Sequence, residues 1–61
     1  MEELWMQDSV VKGLRLVVFK RADKSGIPGL EWLRDIEGDT EGSGSWYTED
    51  RLKENGWIRC V

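Results

Sequence analysis

The 61-residue chain contains no histidine, one cysteine and one proline. Without histidine, it lacks the most common general base and the usual ligand sets for zinc. Because Cys60 is the only cysteine, no internal disulfide can form, which is typical of proteins in a reducing cytoplasm. We therefore expect no metal, no cofactor and a cytoplasmic location.

Long apolar runs are also missing. The longest, "LVVF" at residues 16–19, is far shorter than the roughly 18 residues needed to span a bilayer. The acidic start "MEELWMQD" has neither the basic beginning nor the apolar middle of a signal peptide. The sequence therefore predicts no membrane partner.

Basic charge is scarce, with nine lysines and arginines against twelve acidic residues and a net charge of −3. A generic nucleic-acid binder would be basic, so we do not expect nucleic acid as a partner. Asp23 interrupts the basic region, and no glycine-rich phosphate loop accompanies it. Nucleic-acid binding stays a third hypothesis. The basic residues concerned are Lys12, Arg15, Lys20, Arg21 and Lys24.

Catalysis has little support in this composition. The four serines have no histidine partner, and Cys60 has no obvious activating neighbour. A chain of this length also offers little concave surface for an active site. We predict that the protein is not an enzyme.

What the sequence does contain is typical of one small domain covering residues 1–61. It is 39% apolar and 34% charged, as expected of a globular protein. A chain this short buries only about 60% of the surface it exposes when unfolded, so its core is marginal. Four tryptophans can supply core area that the length cannot.

Strand-forming residues dominate positions 9–20, "SVVKGLRLVVFK". They predict one central strand, which Gly13 interrupts as a bulge or a bend. Before Gly13, a frayed turn and a helical turn are both open, and residues 1–8 are left unassigned. Further strands are expected near 30–36, 45–47 and 57–61.

A helix near 49–55 is predicted from its ends. Thr48 is a favourable N-cap, and Gly56 suits the left-handed position after the last turn. The spacing places Tyr47 and Trp57 on either side of Leu52, as a hydrophobic staple and a helix-ending contact. We therefore expect the flanking aromatic residues to stabilise the helix ends.

These elements predict an α+β fold in which a three- or four-stranded antiparallel sheet carries one short helix near 49–55. The expected core is Val11, Leu14, Leu16, Val18, Leu30, Trp32, Leu52, Trp57 and Ile58.

Four carboxylates recur at every second position in "DIEGDTE", residues 35–41. Such spacing is tolerated in a solvated turn or around a cation. From Asp39 the chain weakly resembles a calcium loop, but its last position is Asp50 instead of glutamate. We favour an acidic turn over a metal site.

This turn is the predicted binding surface of a small protein-interaction module with a protein partner of unknown identity. The candidate binding residues are Asp35, Glu37, Asp39, Glu41, Trp46 and Tyr47. The sheet around Arg15, Val17 and Phe19 is the reserve surface. The alternative function is a structural homo-oligomer, such as a homodimer, that completes its sheet between subunits.

The C-terminal half, "GLEWLRDIEGDTEGSGSWYTEDRLKENGW", resembles small orphan proteins of bacteriophages and prophages. The shared pattern is a Trp-containing strand, an acidic Gly-rich turn, another Trp, and a Thr-capped acidic helix ending in Gly. The resemblance implies expression inside a bacterial host and a modulator or inhibitor that binds a host protein. It assigns no functional residue.

Overall fold

The computed structural model describes all residues, 1–61, as five strands and one helix. The elements are β1 (Glu2–Ser9), β2 (Gly13–Arg21), β3 (Leu30–Asp35), β4 (Trp46–Tyr47), α1 (Glu49–Glu54) and β5 (Trp57–Arg59). The strands form one antiparallel sheet in the order β4-β3-β2-β1-β5. The predicted α+β class is confirmed, whereas the prediction of three or four strands is wrong.

The fifth strand arises because the predicted strand at 9–20 is two strands. A turn at residues 10–12 reverses the chain, and β1 pairs with β2 from Glu2↔Lys20 to Ser9↔Gly13. The hydroxyl of Ser9 accepts a hydrogen bond from the Lys12 amide at 2.9 Å, and Gly13 has a φ of 71°. Gly13 therefore ends a hairpin turn. The sequence did not predict this turn, because Val10 and Val11 are β-branched residues typical of strands.

Strand β2 buries the face opposite to the one we predicted. The buried apolar side chains are Trp5, Val17, Phe19, Leu30, Leu52 and Trp57. Trp32 and Tyr47 are partly buried against them. Successive strand residues point to opposite faces, so burying Val17 and Phe19 turns Leu16 and Val18 away from the core.

The predicted core was therefore partly wrong. Val11, Leu14 and Ile58 are exposed by 92%, 62% and 58%, and Leu16 and Val18 are half-buried on the outer side. Both sides of β2 are apolar, so alternation alone could not select the inner one. Leu30, Leu52 and Trp57 are buried as predicted.

Strand β3 contains a bulge. Val18 pairs with Arg34 and Phe19 with Trp32, so Leu33 has no partner across the sheet. The bulge shifts the alternation by one residue, because two residues of one strand oppose one of its neighbour. It explains why Arg34 faces outward although Trp32 packs against the core.

Helix α1 has the predicted ends. The Thr48 hydroxyl accepts a hydrogen bond from the Arg51 amide at 3.2 Å, and the Gly56 amide donates to the Lys53 carbonyl at 3.1 Å. Leu52 is its one buried residue and shares the core with Trp57. The helix therefore covers the inner face of the sheet. Its six residues are neither long nor apolar enough to cross a membrane.

Glu3 is a buried charged residue on this inner face, only 2% exposed. Its carboxylate accepts two hydrogen bonds from Arg21, at 2.6 and 2.9 Å, and one from the Trp5 indole at 3.0 Å. Arg59 lies 3.4 Å away, and Arg21 also binds Glu49 on the helix at 2.9 Å. This network joins β1, β2, β5 and α1, so its charges have structural partners.

Candidate functional site

The acidic loop, residues 36–45, is shaped by two of the predicted binding residues, Asp35 immediately before it and Asp39 within it. The Asp35 carboxylate accepts from the amides of Glu37 and Asp39, at 2.9 and 2.8 Å. The Asp39 carboxylate accepts from the Glu41 amide at 3.0 Å. Asp35 and Asp39 therefore hold the loop in shape, as short acidic side chains commonly do in turns.

The carboxylates of Glu37 and Glu41 accept no hydrogen bond from the loop backbone. Both are exposed, and neither forms a salt bridge. Gly42 brings the loop against the sheet, because a Cβ on it would lie 3.1 Å from the Trp32 ring and its φ is 90°. The loop therefore presents two unpaired carboxylates from a fixed position.

Trp46 and Tyr47 lie apart from these carboxylates. They pair with Leu30 and Glu31 at the start of β3, whereas Asp35 ends that strand. At about 3.3 Å per residue, the two ends are roughly 13 Å apart. The predicted set is thus divided between two places on the molecule.

Trp46 is occupied by structural contacts. Its indole donates to the Ala22 carbonyl at 2.8 Å, and Lys24 lies 5.9 Å from its ring. A Cβ on Gly29 would lie 2.3 Å from the same ring, so only glycine fits beneath it. Trp46 therefore anchors the loop between β2 and β3.

The acidic loop forms one wall of a cleft of about 740 Å³. The other wall is the start of β2, and the floor includes Trp32. All four predicted carboxylates line it: Asp35, Glu37, Asp39 and Glu41. Opposite them are Lys12, Leu14, Arg15 and Leu16. The cleft is therefore acidic on one side and mixed apolar and basic on the other.

An unpaired strand edge runs along this cleft. β2 pairs with β1 from Gly13 onward but with β3 only from Val17 onward. The Leu16 carbonyl accepts from the Ile36 amide at 2.9 Å, so the backbone groups of Leu16 face the β3 side. Because backbone direction alternates along a strand, those of Leu14 face the same way. Beyond Ile36, no strand lies beside Leu14.

Arg15 is held rigidly in the cleft wall. Its guanidinium lies 5.7 Å from the Trp32 ring and 5.2 Å from the Trp57 ring, and it donates to the Gln7 side chain. Its Nε, like Nε1 of Trp32, is buried without a hydrogen-bond acceptor in the protein. Because both atoms are buried, they are enclosed within the wall and are not exposed to the cleft.

No group of three or more His, Cys, Asp or Glu side chains is arranged to hold a metal ion. The calcium-like pattern is broken up, because Asp50 lies in the first turn of α1 while Asp39 binds its own loop. The arrangement offers chemistry for recognition: carboxylates, an apolar floor and free backbone groups.

No protein-family model, curated protein or solved structure matches the chain.

Leu14 and its free edge were missed as part of the site. Leu14 was assigned to the core, although it is 62% exposed. Of the reserve surface around Arg15, Val17 and Phe19, the side chains of Val17 and Phe19 are buried, whereas Arg15 lies in the cleft wall. The free edge becomes visible only when the lengths of β2 and β3 are compared. The prediction of a single strand at 9–20 did not give the start of β2, so this comparison was not possible from the sequence.

Proposed function

We propose that the protein is a small interaction module that binds an extended, basic segment of a partner protein in the cleft. The segment would lie beside Leu14 as an added strand and place a lysine or arginine against the acidic loop. The observation that carries this proposal is the unpaired edge of β2 facing two exposed carboxylates.

The backbone supplies the first part of this recognition. An exposed strand edge is a template for another strand, and backbone hydrogen bonds provide affinity without regard to sequence. The free edge is short, because Leu16 already binds Ile36. One or two added hydrogen-bond pairs are therefore expected, together with side-chain contacts.

Charge supplies selectivity. Glu37 and Glu41 are unpaired, so a basic side chain would gain two carboxylates without breaking an existing salt bridge. Complementary charge mainly raises the association rate and excludes partners of the wrong sign. Arg15 and Lys12 on the opposite wall would donate hydrogen bonds to an acidic group or a carbonyl oxygen of the partner.

The alternative homo-oligomer that pairs its edge strands has less support. The outer strands β4 and β5 contain two and three residues, which leaves few backbone groups for pairing. A bacterial cytoplasm and a host protein as partner remain predictions from the sequence.

A random peptide library tests the function. We expect selected peptides to alternate apolar residues with lysine or arginine, and to bind more weakly as ionic strength rises above about 0.15 M. The variant Glu37→Gln/Glu41→Gln should bind them at least about tenfold less tightly, equivalent to about 1.4 kcal/mol.

The matched control is Glu54→Gln, an exposed glutamate on α1 without a salt bridge. It should bind like the wild type, and all three proteins should melt at similar temperatures. N-methylation of the selected peptides should also weaken binding, because a methylated amide cannot donate to a strand edge. Selection of acidic peptides, or equal binding by the double variant, would contradict the proposal.

A further inference from the structure

The sheet has a second apolar surface on the side away from the helix. We call it the outer face, and it consists of Leu4, Met6, Leu14, Leu16, Val18, Ile36 and Ile58. The register aligns these residues in rows, with Ile58 beside Met6 and Met6 beside Leu16. Ile36 extends this row, since its amide binds the Leu16 carbonyl.

Neither the helix nor the core covers the outer face. Leu52 joins α1 to the inner face, where Trp5, Val17 and Phe19 are buried. On the outer side, Leu14, Ile36 and Ile58 are exposed by 62%, 60% and 58%. The largest contiguous apolar patch on a protein surface is often an interaction site.

We infer that the outer face packs against the outer face of a second copy of this chain, forming a two-fold symmetric dimer. Two sheets packed in this way would make a β-sandwich with a second core between the copies. In a two-fold dimer the same patch is used by both subunits, so a self-complementary surface is sufficient.

The rim of the outer face is compatible with a second copy. It carries both signs of charge: Glu2, Asp8, Lys20, Glu31 and Arg34. Lys20 lies between Glu2 and Glu31, and Arg34 lies 3.5 Å from Glu2. With the two-fold axis across the strands, this end of the sheet approaches the partner's Asp8, and because the two acidic and two basic side chains near it balance, no net repulsion opposes the contact. The chain's acidic surplus is concentrated elsewhere, in the acidic loop.

The size of the outer face indicates a small interface. Four strands at about 4.8 Å spacing and five to seven residues at about 3.3 Å each give a footprint of roughly 300–400 Å² per copy. With protruding side chains included, two copies would bury on the order of 1,000 Å², the lower limit for a specific interface. We therefore expect a weak dimer, with a Kd on the order of 10 µM.

Sedimentation velocity between about 1 µM and 1 mM tests this inference across the expected Kd. The wild type should shift from monomer to dimer. Met6→Lys/Ile58→Lys should remain monomeric at the highest concentration, because it places four cations in the proposed interface of a dimer. A reducing agent throughout prevents crosslinking through the exposed Cys60.

The matched control, Val10→Lys/Val11→Lys, adds the same charge at the hairpin turn, where these valines are 107% and 92% exposed. It should dimerise like the wild type. Ile58→Lys alone repeats the test if circular dichroism shows that the double variant is unfolded. A wild type that is monomeric at about 1 mM, or equal dimerisation of the outer-face variants, overturns the inference. Binding of such a monomer to lipid vesicles would assign the outer face to a membrane surface instead.

Discussion

At the scale of single residues, Glu3 shows how a charge can be buried in so small a protein. Hydrogen bonds from Arg21 lower the pKa of Glu3 below its ordinary value of 4.5; burial opposes this shift, and the Trp5 indole and Arg59 support it. The pKa of Glu49 is also lowered, first by Lys53 and then by Arg21. Both groups are therefore more acidic in the folded protein than in the unfolded chain.

This difference predicts acid sensitivity. Glu3 has a lower pKa in the folded protein than in the unfolded chain. At pH values between these two pKa values the unfolded state binds more protons, so the free energy of unfolding rises with pH. The contribution is fully present above about pH 4.5 and is lost as pH falls through the folded-state pKa. Urea unfolding at pH 7 and at about pH 3 measures it.

Glu3→Gln should lower the free energy of unfolding at pH 7 by about 3 kcal/mol, because Arg21 loses its buried partner. The deficit relative to wild type should shrink in acid, where the wild-type carboxylate is protonated. Glu2→Gln is the neighbouring control: its pair with Arg34 is half-exposed and contributes at most about 1 kcal/mol. A deficit that does not change with pH would contradict this role for Glu3.

At the scale of elements, the helix was largely predictable because its signals are local. Thr48 and Gly56 act within a few residues of α1, and the structure places both as expected. The hairpin at 10–12 and the inner face of β2 were not predictable, because both depend on partners distant in sequence. Trp5 helps to select that face, but residues 1–8 gave no clear pattern.

The candidate site also has one part that could be predicted from the sequence and one part that could not. Its acidic loop was identifiable from composition, since Gly, Ser and acidic residues cluster there. Its cleft was not, because it exists only where β2 extends beyond β3. The separation of Trp46 from Asp35 likewise depends on where β4 pairs along β3.

Leu52→Ala should show how strongly the helix is attached. Removing a buried leucine costs about 2–4 kcal/mol, which could exceed the stability of a chain this small. Thermal melting by circular dichroism measures the effect. Glu54→Ala, on the exposed side of α1, is the control and should melt within a few degrees of wild type. A similarly small shift for Leu52→Ala would show that the helix contributes little to the core.

At the scale of the whole molecule, one sheet separates two surfaces with different uses. The inner face is covered by α1, the outer face is apolar and uncovered, and the cleft lies where β2 extends beyond β3. The Leu14 edge lies in the plane of the sheet, so stacking a second copy on the outer face leaves its backbone accessible. Leu14, Leu16 and Ile36 nevertheless line the cleft and also belong to the outer face, so we expect dimerisation and partner binding to influence each other.

The sheet order has a consequence for folding kinetics. β1 and β2 are joined by a short turn, whereas β5 must return from the other end of the chain to pair with β1. Closing that long loop costs entropy before its contacts form, so we expect the hairpin to form first and β5 with α1 to join later. Stopped-flow measurements should then show that Val17→Ala slows folding, whereas Leu52→Ala mainly accelerates unfolding. The reverse pattern would mean that the helix nucleates the fold.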